Sequence, residues 1–252
     1  MQQDYLWCLH VLLWDAETVS YTHLEVDGER KLTIPNLVNY FQDCSTFQSE
    51  ELGVGCEYME EHQKAWVLSF WQIVIERRPK LGEEVTVETF ATGFDGLYGT
   101  RNFVMTDAKG SKIAYAYSIW VFMDLKKGRP VRPQPQEIAG YGTEEPLPME
   151  YAGRKIPLPK ERKQGEPFPV RRHQIDTNHH VNNSQYVQMA LDVWEEMGTP
   201  SKIRELRVEY KKSAVYGDMI YPSMIEEQDN TTIVLGDEKE RPYAIVQVRG
   251  EN

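Results

Sequence analysis

Three polar side chains that could act together in catalysis are spaced two residues apart in the segment 175–183, which reads IDTNHHVNN. Asp176, Asn178 and His180 fall at positions i, i+2 and i+4, so in an extended chain their side chains share one face. A carboxylate, an amide and an imidazole on one face can orient and deprotonate an attacking water. The spacing therefore predicts an extended segment that carries acid–base chemistry.

A buried helix is predicted directly after this segment, over about Val181 to Met197, because apolar residues surround most of it. Asn182 and Asn183 lie at its start, where unpaired N–H groups can donate to an oxyanion. The positive end of the helix dipole disfavours imidazolium, so His180 is expected to stay neutral and able to act as a base. This set suits thioester hydrolysis, because a thiolate leaves far more readily than an amine.

Two other interpretations of the same residues stay open on spacing alone. Asp and Asn clusters before helices are commonly caps and turns. A set of two histidines and one carboxylate, His173, Asp176 and His180, could instead bind a metal ion.

The elements that must position these residues occur twice along the chain. In the first half, strand-like alternation over 17–27 precedes a helix that Thr33 caps and Gly53 ends, and four strands follow at about 65–76, 84–92, 98–105 and 113–123. In the second half, an extended segment at 168–175 precedes the helix, and four strands follow at about 205–213, 219–226, 231–235 and 243–249. This order predicts an α+β fold of two tandem units, each a curled antiparallel sheet around a central helix. We also expect the two sheets to pair into one continuous surface.

Composition and the absence of certain motifs argue against some partners and cofactors. A net charge of -11 argues against nucleic acid as a partner. The cysteines Cys8, Cys44 and Cys56 form no CxxC pair, which favours a reduced, cytoplasmic protein. The mostly apolar segment from Tyr5 to Trp14 has only ten residues, too few to span a bilayer, so an additional packed strand or helix is expected there. No G-x-S-x-G or P-loop motif occurs, and no organic cofactor is implied.

The string DTNHHVNN, the later VEYKK (Val208–Lys212) and the earlier LVNYFQD (Leu37–Asp43) and GTRNF (Gly99–Phe103) together resemble the acyl-acyl carrier protein (acyl-ACP) thioesterases of plants and bacteria. The resemblance covers roughly residues 17 to 250 and implies two tandem hotdog units. It divides the chain into an N-terminal extension (1–16), a first hotdog unit that binds the acyl chain (17–125), a proline-rich linker (126–165) and a second, catalytic hotdog unit (166–252).

By position, the resemblance assigns catalysis to Asp176, Asn178 and His180 and leaves open which of Asp176 and His180 is the base or the nucleophile. Where the plant enzymes usually carry Glu-Cys, this chain has Ser213-Ala214. No cysteine lies in the second unit, so a Cys–His mechanism is not available there, and Ser213 is a candidate for positioning a water.

The resemblance also implies that the substrate is acyl carrier protein with a phosphopantetheine-linked acyl chain. It implies no metal ion. Candidates for the acyl pocket are Val38, Phe41, Cys44, Trp66 and Trp71. Candidates for contact with the carrier are the basic pairs Arg171-Arg172 and Lys211-Lys212. A homodimer is compatible with this assignment. The alternatives are a hotdog dehydratase or hydratase that acts on acyl thioesters, and a non-catalytic acyl-binding protein.

Overall fold

The computed structural model describes residues 15–20 and 25–250, and for 15–20 the backbone strand alone is considered. The apolar segment Tyr5–Trp14, and with it nearly all of the expected N-terminal extension 1–16, lies outside the described residues.

Among its described residues, the first half of the chain contains two helices and five strands. In chain order they are β1 (Asp15–Ser20), α1 (Ile34–Glu51), α2 (Cys56–His62), β2 (Lys64–Ile75), β3 (Glu84–Asp95), β4 (Tyr98–Asp107) and β5 (Lys112–Asp124). Thr33 caps α1, its hydroxyl accepting a hydrogen bond from the Asn36 amide, and Gly53 follows the helix with a φ of +70°. The predicted helix and all four predicted strands are therefore present, and α2 was not predicted.

The connecting segment and the second half follow. In chain order they are β6 (Arg129–Pro130), α3 (Pro135–Ile138), β7 (Lys163–Gln164), β8 (Phe168–Pro169), α4 (Asn183–Met197), β9 (Ile203–Tyr210), β10 (Met219–Glu226), β11 (Thr231–Gly236) and β12 (Pro242–Gly250). The extended segment predicted at 168–175 is a two-residue strand followed by a 3-10 turn at Arg172–Gln174.

One antiparallel sheet runs through both halves, in the order β1-β3-β4-β5-β2-β9-β12-β11-β10-β7. The halves join where β2 pairs with β9, with Trp71 opposite Val208 and Ile73 opposite Leu206. The expectation of an α+β fold with tandem helix-and-sheet units and a continuous sheet is confirmed.

The core lies between the two long helices and the concave side of this sheet. Leu37, Val38 and Phe41 of α1 are fully buried, as are Val187 and Ala190 of α4. Burial of such a continuous apolar surface is the main stabilising contribution to a fold of this kind.

The connector between the halves packs along the outer face of the sheet. The Tyr151 hydroxyl donates to the Asn102 side chain, the Ala152 amide donates to the Gln72 side chain, and the Ile156 amide donates to the Glu209 carboxylate. These contacts satisfy polar groups that β2, β4 and β9 would otherwise bury without a partner.

Candidate active site

The segment from Asp176 to His180 is a closed turn, and the expectation of an extended chain is wrong. The Asp176 amide donates to the His180 carbonyl at 2.8 Å, and Ile175 bridges Val181. The Asp176 carboxylate oxygen Oδ1 accepts the amides of Asn178 (2.8 Å) and His180 (3.2 Å). His179 has a φ of +62°, a left-handed conformation that reverses the chain. An Asp that accepts amides two and four residues ahead favours a turn over a strand.

This turn changes which side chains meet. Asp176, Thr177 and Asn178 line a common cavity, whereas the fully extended arrangement had placed Thr177 on the opposite face. The His180 side chain is exposed and is not among the residues lining that cavity. The backbone of His180 nevertheless holds Asp176 in place from both its amide and its carbonyl.

Helix α4 begins two residues later than predicted, at Asn183, because Asn182 is its N-cap. The Asn182 side-chain oxygen accepts the amide and the hydroxyl of Ser184 at 2.9 Å each. Asn182 also lines the cavity. Asn183 occupies the first helical position, and its side chain donates to the Gln42 side chain of α1 at 2.9 Å. Both predicted helix-terminal asparagines therefore lie at the site.

The cavity has a volume of about 290 Å³ and extends from the second half into the first. Its wall on α1 consists of Gln42, Ser45, Thr46 and Ser49, which follow one face of the helix. The nine residues from Gln42 to Glu50 are separated by eight helical steps, which span about 12 Å at ~1.5 Å per step. The cavity is therefore a channel along α1 that meets the Asp176 turn at one end.

Trp66 lines this channel, and it does so next to Gly99. A Cβ atom added to Gly99 would meet the Trp66 ring at 3.1 Å, so glycine there leaves room for the indole against β4. Of the five residues predicted for the acyl pocket, Trp66 is the one among the cavity-lining residues. Val38, Phe41, Cys44 and Trp71 lie in the core instead, because they occupy the face of α1 and of β2 that packs together, with Phe41 and Trp71 ring centres 6.2 Å apart.

The end of the channel far from Asp176 carries polar groups. Arg101 is 7% exposed and donates to the Thr89 hydroxyl, and its guanidinium lies 5.4 Å from the Tyr141 ring centre. The Tyr141 and Ser49 hydroxyls are 2.8 Å apart. Burial raises the pKa of the Tyr141 hydroxyl, which therefore remains a neutral phenol.

A cysteine also lines this far end, but it is not set up as a nucleophile. Cys56 lies beside Glu50, whose carboxylate accepts the Cys56 amide at 2.8 Å. Hydrogen bonding to that carboxylate raises the pKa of the Cys56 thiol, with burial adding to the effect. The thiol therefore stays protonated, whereas a catalytic cysteine needs a lowered pKa.

The Asp176 turn has a counterpart in the first half, 149 positions earlier. The Asp27 carboxylate accepts the amides of Glu29 (2.9 Å) and Lys31 (3.0 Å), and the Asp27 amide donates to the Lys31 carbonyl. Arg30 has a φ of +60°, as His179 has +62°. Thr33 caps α1 at the position where Asn182 caps α4. Both halves therefore place the same turn at the start of their central helix.

The two turns differ in what holds the aspartate. In the first half, the Arg78 guanidinium lies 2.6 Å from the second carboxylate oxygen of Asp27. Burial raises the pKa of Asp27, but the Lys31 amide and Arg78 outweigh it and hold the pKa below its ordinary value. Within residues 25–250, no cation pairs with the Asp176 carboxylate. The Asp176 carboxylate therefore borders the cavity, and among the described residues no cation pairs with it.

Ser213 occupies the position in the second half that corresponds to Arg78. In the first half, the Leu32 amide donates to the Pro79 carbonyl at 2.9 Å. In the second half, the Val181 amide donates to the Ala214 carbonyl, also at 2.9 Å. Val181 lies 149 positions after Leu32, and Ala214 lies 135 positions after Pro79. The Ala214 amide in turn donates to the buried Tyr186 hydroxyl at 2.7 Å. Ser213 is exposed and precedes this anchored residue, but it is not among the residues that line the cavity, so its role in positioning a water stays a prediction.

The predicted basic contacts separate into two kinds. Lys211 pairs with Glu209, and Lys212 pairs with Asp237 at 2.7 Å, so their charges are already compensated. Arg171 and Arg172 are exposed and, in the part of the chain that the structure covers, form no ion pair with a carboxylate. Arg172 lies over the Tyr216 ring at 4.7 Å.

The alternative metal set gains no support from its geometry. Among residues 25–250, no group of three His, Cys, Asp or Glu side chains gathers closely enough to hold an ion, and His173, Asp176 and His180 do not do so. The described helices also include none with the length and apolar composition needed to cross a bilayer.

Both halves of the chain match sequence models of one known protein family. The model of the acyl-ACP thioesterase N-terminal domain matches residues 17–141, and the model of the C-terminal domain of that family matches residues 158–249. A palmitoyl-acyl carrier protein thioesterase from Cuphea hookeriana is 24% identical in an alignment of 217 positions that covers 78% of this chain and 51% of that protein. The chain thus spans about half the length of the curated relatives it matches.

Solved structures agree with the fold. An acyl-ACP thioesterase from Bacteroides thetaiotaomicron superposes with a TM-score of 0.84 at 24% identity, covering 94% of this chain and 98% of that one. The 12:0-ACP thioesterase from Umbellularia californica superposes with a TM-score of 0.81 at 18% identity, covering 96% and 98%. These structures share the tandem hotdog fold with this chain, and the two matching domain models place the chain in the acyl-ACP thioesterase family.

Proposed function

We propose that the protein hydrolyses acyl-ACP thioesters and releases free fatty acid and carrier protein, as a step of fatty acid synthesis. The observation that carries this proposal is the channel along α1, which begins in the first half and ends at Asp176 and Asn178 of the second. Such a channel can hold an acyl chain while its thioester lies at the turn. The first half would then bind the acyl chain and the second would supply the catalytic groups.

The turn offers groups for each step of the reaction. Asp176 Oδ2 can accept a proton from water while Asn178 orients it, since Oδ1 is held by two amides. Water adds to the carbonyl carbon, the carbon–sulfur bond breaks, and the thiolate of the carrier arm leaves and takes up a proton. Donors at the start of α4 stabilise the intermediate oxyanion. A catalytic role for His180, whose side chain does not line the cavity, stays a prediction.

Arg171 and Arg172 support carrier protein, rather than a neutral thioester, as the partner. They are exposed cations on the segment that leads directly into the catalytic turn, and Lys211 and Lys212 contribute less because carboxylates already compensate them. An acidic carrier would be steered to this rim by charge.

The test is an assay of acyl-ACPs of several chain lengths beside matched acyl-CoAs, with free thiol and free fatty acid both measured. We expect both products from acyl-ACP and their loss in Asp176→Ala. Hydration or dehydration of the acyl chain without thiol release would instead identify a hydratase. Binding without any turnover of either substrate class would identify an acyl-binding protein.

A further inference from the structure

Gln42 links the two halves at the mouth of the channel. It lies on α1, lines the cavity together with Asp176 and Asn178, and accepts the Asn183 side-chain amide at 2.9 Å. The sequence placed it within the family-like LVNYFQD segment but gave it no role. Its position brings a side chain of the first half to the catalytic turn of the second.

Asn183 fixes the direction of the Gln42 amide. Because the Gln42 oxygen Oε1 accepts from Asn183, its amino group Nε2 is turned away from that contact. Asn183 is itself held by its place in α4 and by the Tyr210 hydroxyl, which donates to the Asn183 carbonyl at 3.0 Å. Gln42 therefore keeps its two N–H donors outside the Asn183 contact, on a side chain that lines the cavity.

The other half of the molecule provides an internal comparison. The positions that correspond to Asn183 and Gln42, at the offset of 149, are Ile34 and Leu191. The turn whose aspartate is neutralised by Arg78 thus has an apolar pair at this place. The turn whose aspartate forms no ion pair within residues 25–250 has a hydrogen-bonded amide pair. The Gln42–Asn183 pair thus lies beside the turn whose aspartate is available for catalysis.

We propose that Gln42 is a catalytic residue whose Nε2 donates to the thioester oxygen as water adds and the oxygen becomes an anion. The proposal rests on the proposed hydrolase function and deepens it, because it assigns an oxyanion donor to the first half. No proton leaves Gln42: it donates a hydrogen bond, the carbon–sulfur bond breaks, and the carbonyl re-forms as the carboxylic acid. Neither half would then catalyse hydrolysis without the other.

The experiment compares Gln42→Met and Gln42→Glu with the wild type on acyl-ACP. Methionine has a similar length without a donor, and glutamate can still accept from Asn183 but does not donate when ionised. We expect kcat to fall by about 10²–10³ in both, the loss typical for removal of one oxyanion donor, with KM changed by less than about threefold. The matched control is Gln48→Met on the same helix, since Gln48 does not line the cavity and its Oε1 has no partner among the described residues. That variant should keep wild-type kcat.

A double mutant separates donation by Gln42 from an indirect effect. Asn183→Asp removes the donor that holds Oε1 and instead attracts Nε2, so it should also lower kcat. Gln42→Met with Asn183→Asp should then lose no more than Gln42→Met alone. Multiplied losses, or wild-type kcat in Gln42→Met while Asp176→Ala is inactive, would overturn the role of Gln42 and leave the hydrolase assignment standing. A wild type that releases no thiol would overturn both.

Discussion

Asp27 and Asp176 perform the same backbone task in the two halves of the protein, but Arg78 neutralises the first and no described cation pairs with the second. The Asp27 turn therefore has a structural role, whereas the equivalent Asp176 turn also borders the channel. The comparison explains how a residue that caps a turn can also be a catalytic candidate. Oδ1 serves the backbone, and Oδ2 is available for chemistry.

Asp176→Asn should separate these two tasks. The amide oxygen can still accept from Asn178 and His180, so the turn and the thermal unfolding midpoint should be nearly unchanged. Loss of the carboxylate base should lower kcat by about 10²–10⁴. The matched control is Asp27→Asn in the other turn, which should keep its turnover at 25 °C. Equal activity in Asp176→Asn and the wild type would exclude a catalytic role for the carboxylate.

Ser213→Arg should convert the second turn into a copy of the first. The arginine would stand where Arg78 stands and could pair with Asp176, as Arg78 pairs with Asp27. We expect turnover to drop to about the level of Asp176→Asn while the unfolding temperature holds or rises. Ser213→Ala, which removes a hydroxyl without adding charge, should lose less than about tenfold if the hydroxyl positions water. Full activity of the arginine variant would show that Ser213 does not approach the carboxylate.

The Asp27–Arg78 pair should make stability depend on pH. Both side chains are less than a third exposed, 29% and 26%, and the folded pKa of Asp27 is lowered. The stabilisation is therefore fully present above the ordinary carboxyl pKa of about 4 and is lost as pH falls through the lower folded value. Asp27→Asn should reduce the free energy of unfolding by about 1–2 kcal/mol at pH 7, with the difference from wild type shrinking below pH 4. Urea titrations at several pH values measure this, and a difference independent of pH would contradict the assignment.

Arg172→Glu should weaken the encounter with the carrier protein. Reversing one exposed charge at the rim should raise KM for acyl-ACP about three- to tenfold, since exposed charge pairs contribute up to about 1 kcal/mol. The increase should shrink as salt is raised toward ~0.5 M. Lys109→Glu makes the same charge change in the β4–β5 turn and is the control, with KM expected to stay near wild type. Identical KM values for both variants at low salt would argue against Arg172 as a carrier contact.

Much of the fold follows from local pattern. Alternating apolar residues predicted eight strands to within a few residues, and Thr33 and Gly53 predicted both ends of α1. Helix α2 was missed because Cys56–His62 has little apolar periodicity and buries no residue. Apolar periodicity in the sequence thus predicts helices and strands that bury one face, and it does not predict those that bury none.

Residue spacing predicted that Asp176 and Asn178 lie together, but it did not predict the geometry that brings them together. Asp176 and Asn178 do meet at a cavity, but through a turn, and the repeat held the signal for it. Asp27-Gly28 begins the equivalent segment and is a strong turn dipeptide. Gln42 could not be identified from spacing, because its partner Asn183 is 141 residues away.

The pairing of β2 with β9 has a consequence for how the molecule can be divided. Because the seam is a backbone ladder between two long strands, cutting the chain in the connector would leave each piece with an open row of amides and carbonyls. A fragment containing only α4 and its strands would tend to associate through that bare strand with another chain. Although the two halves are structural repeats, each therefore needs the other to complete its sheet.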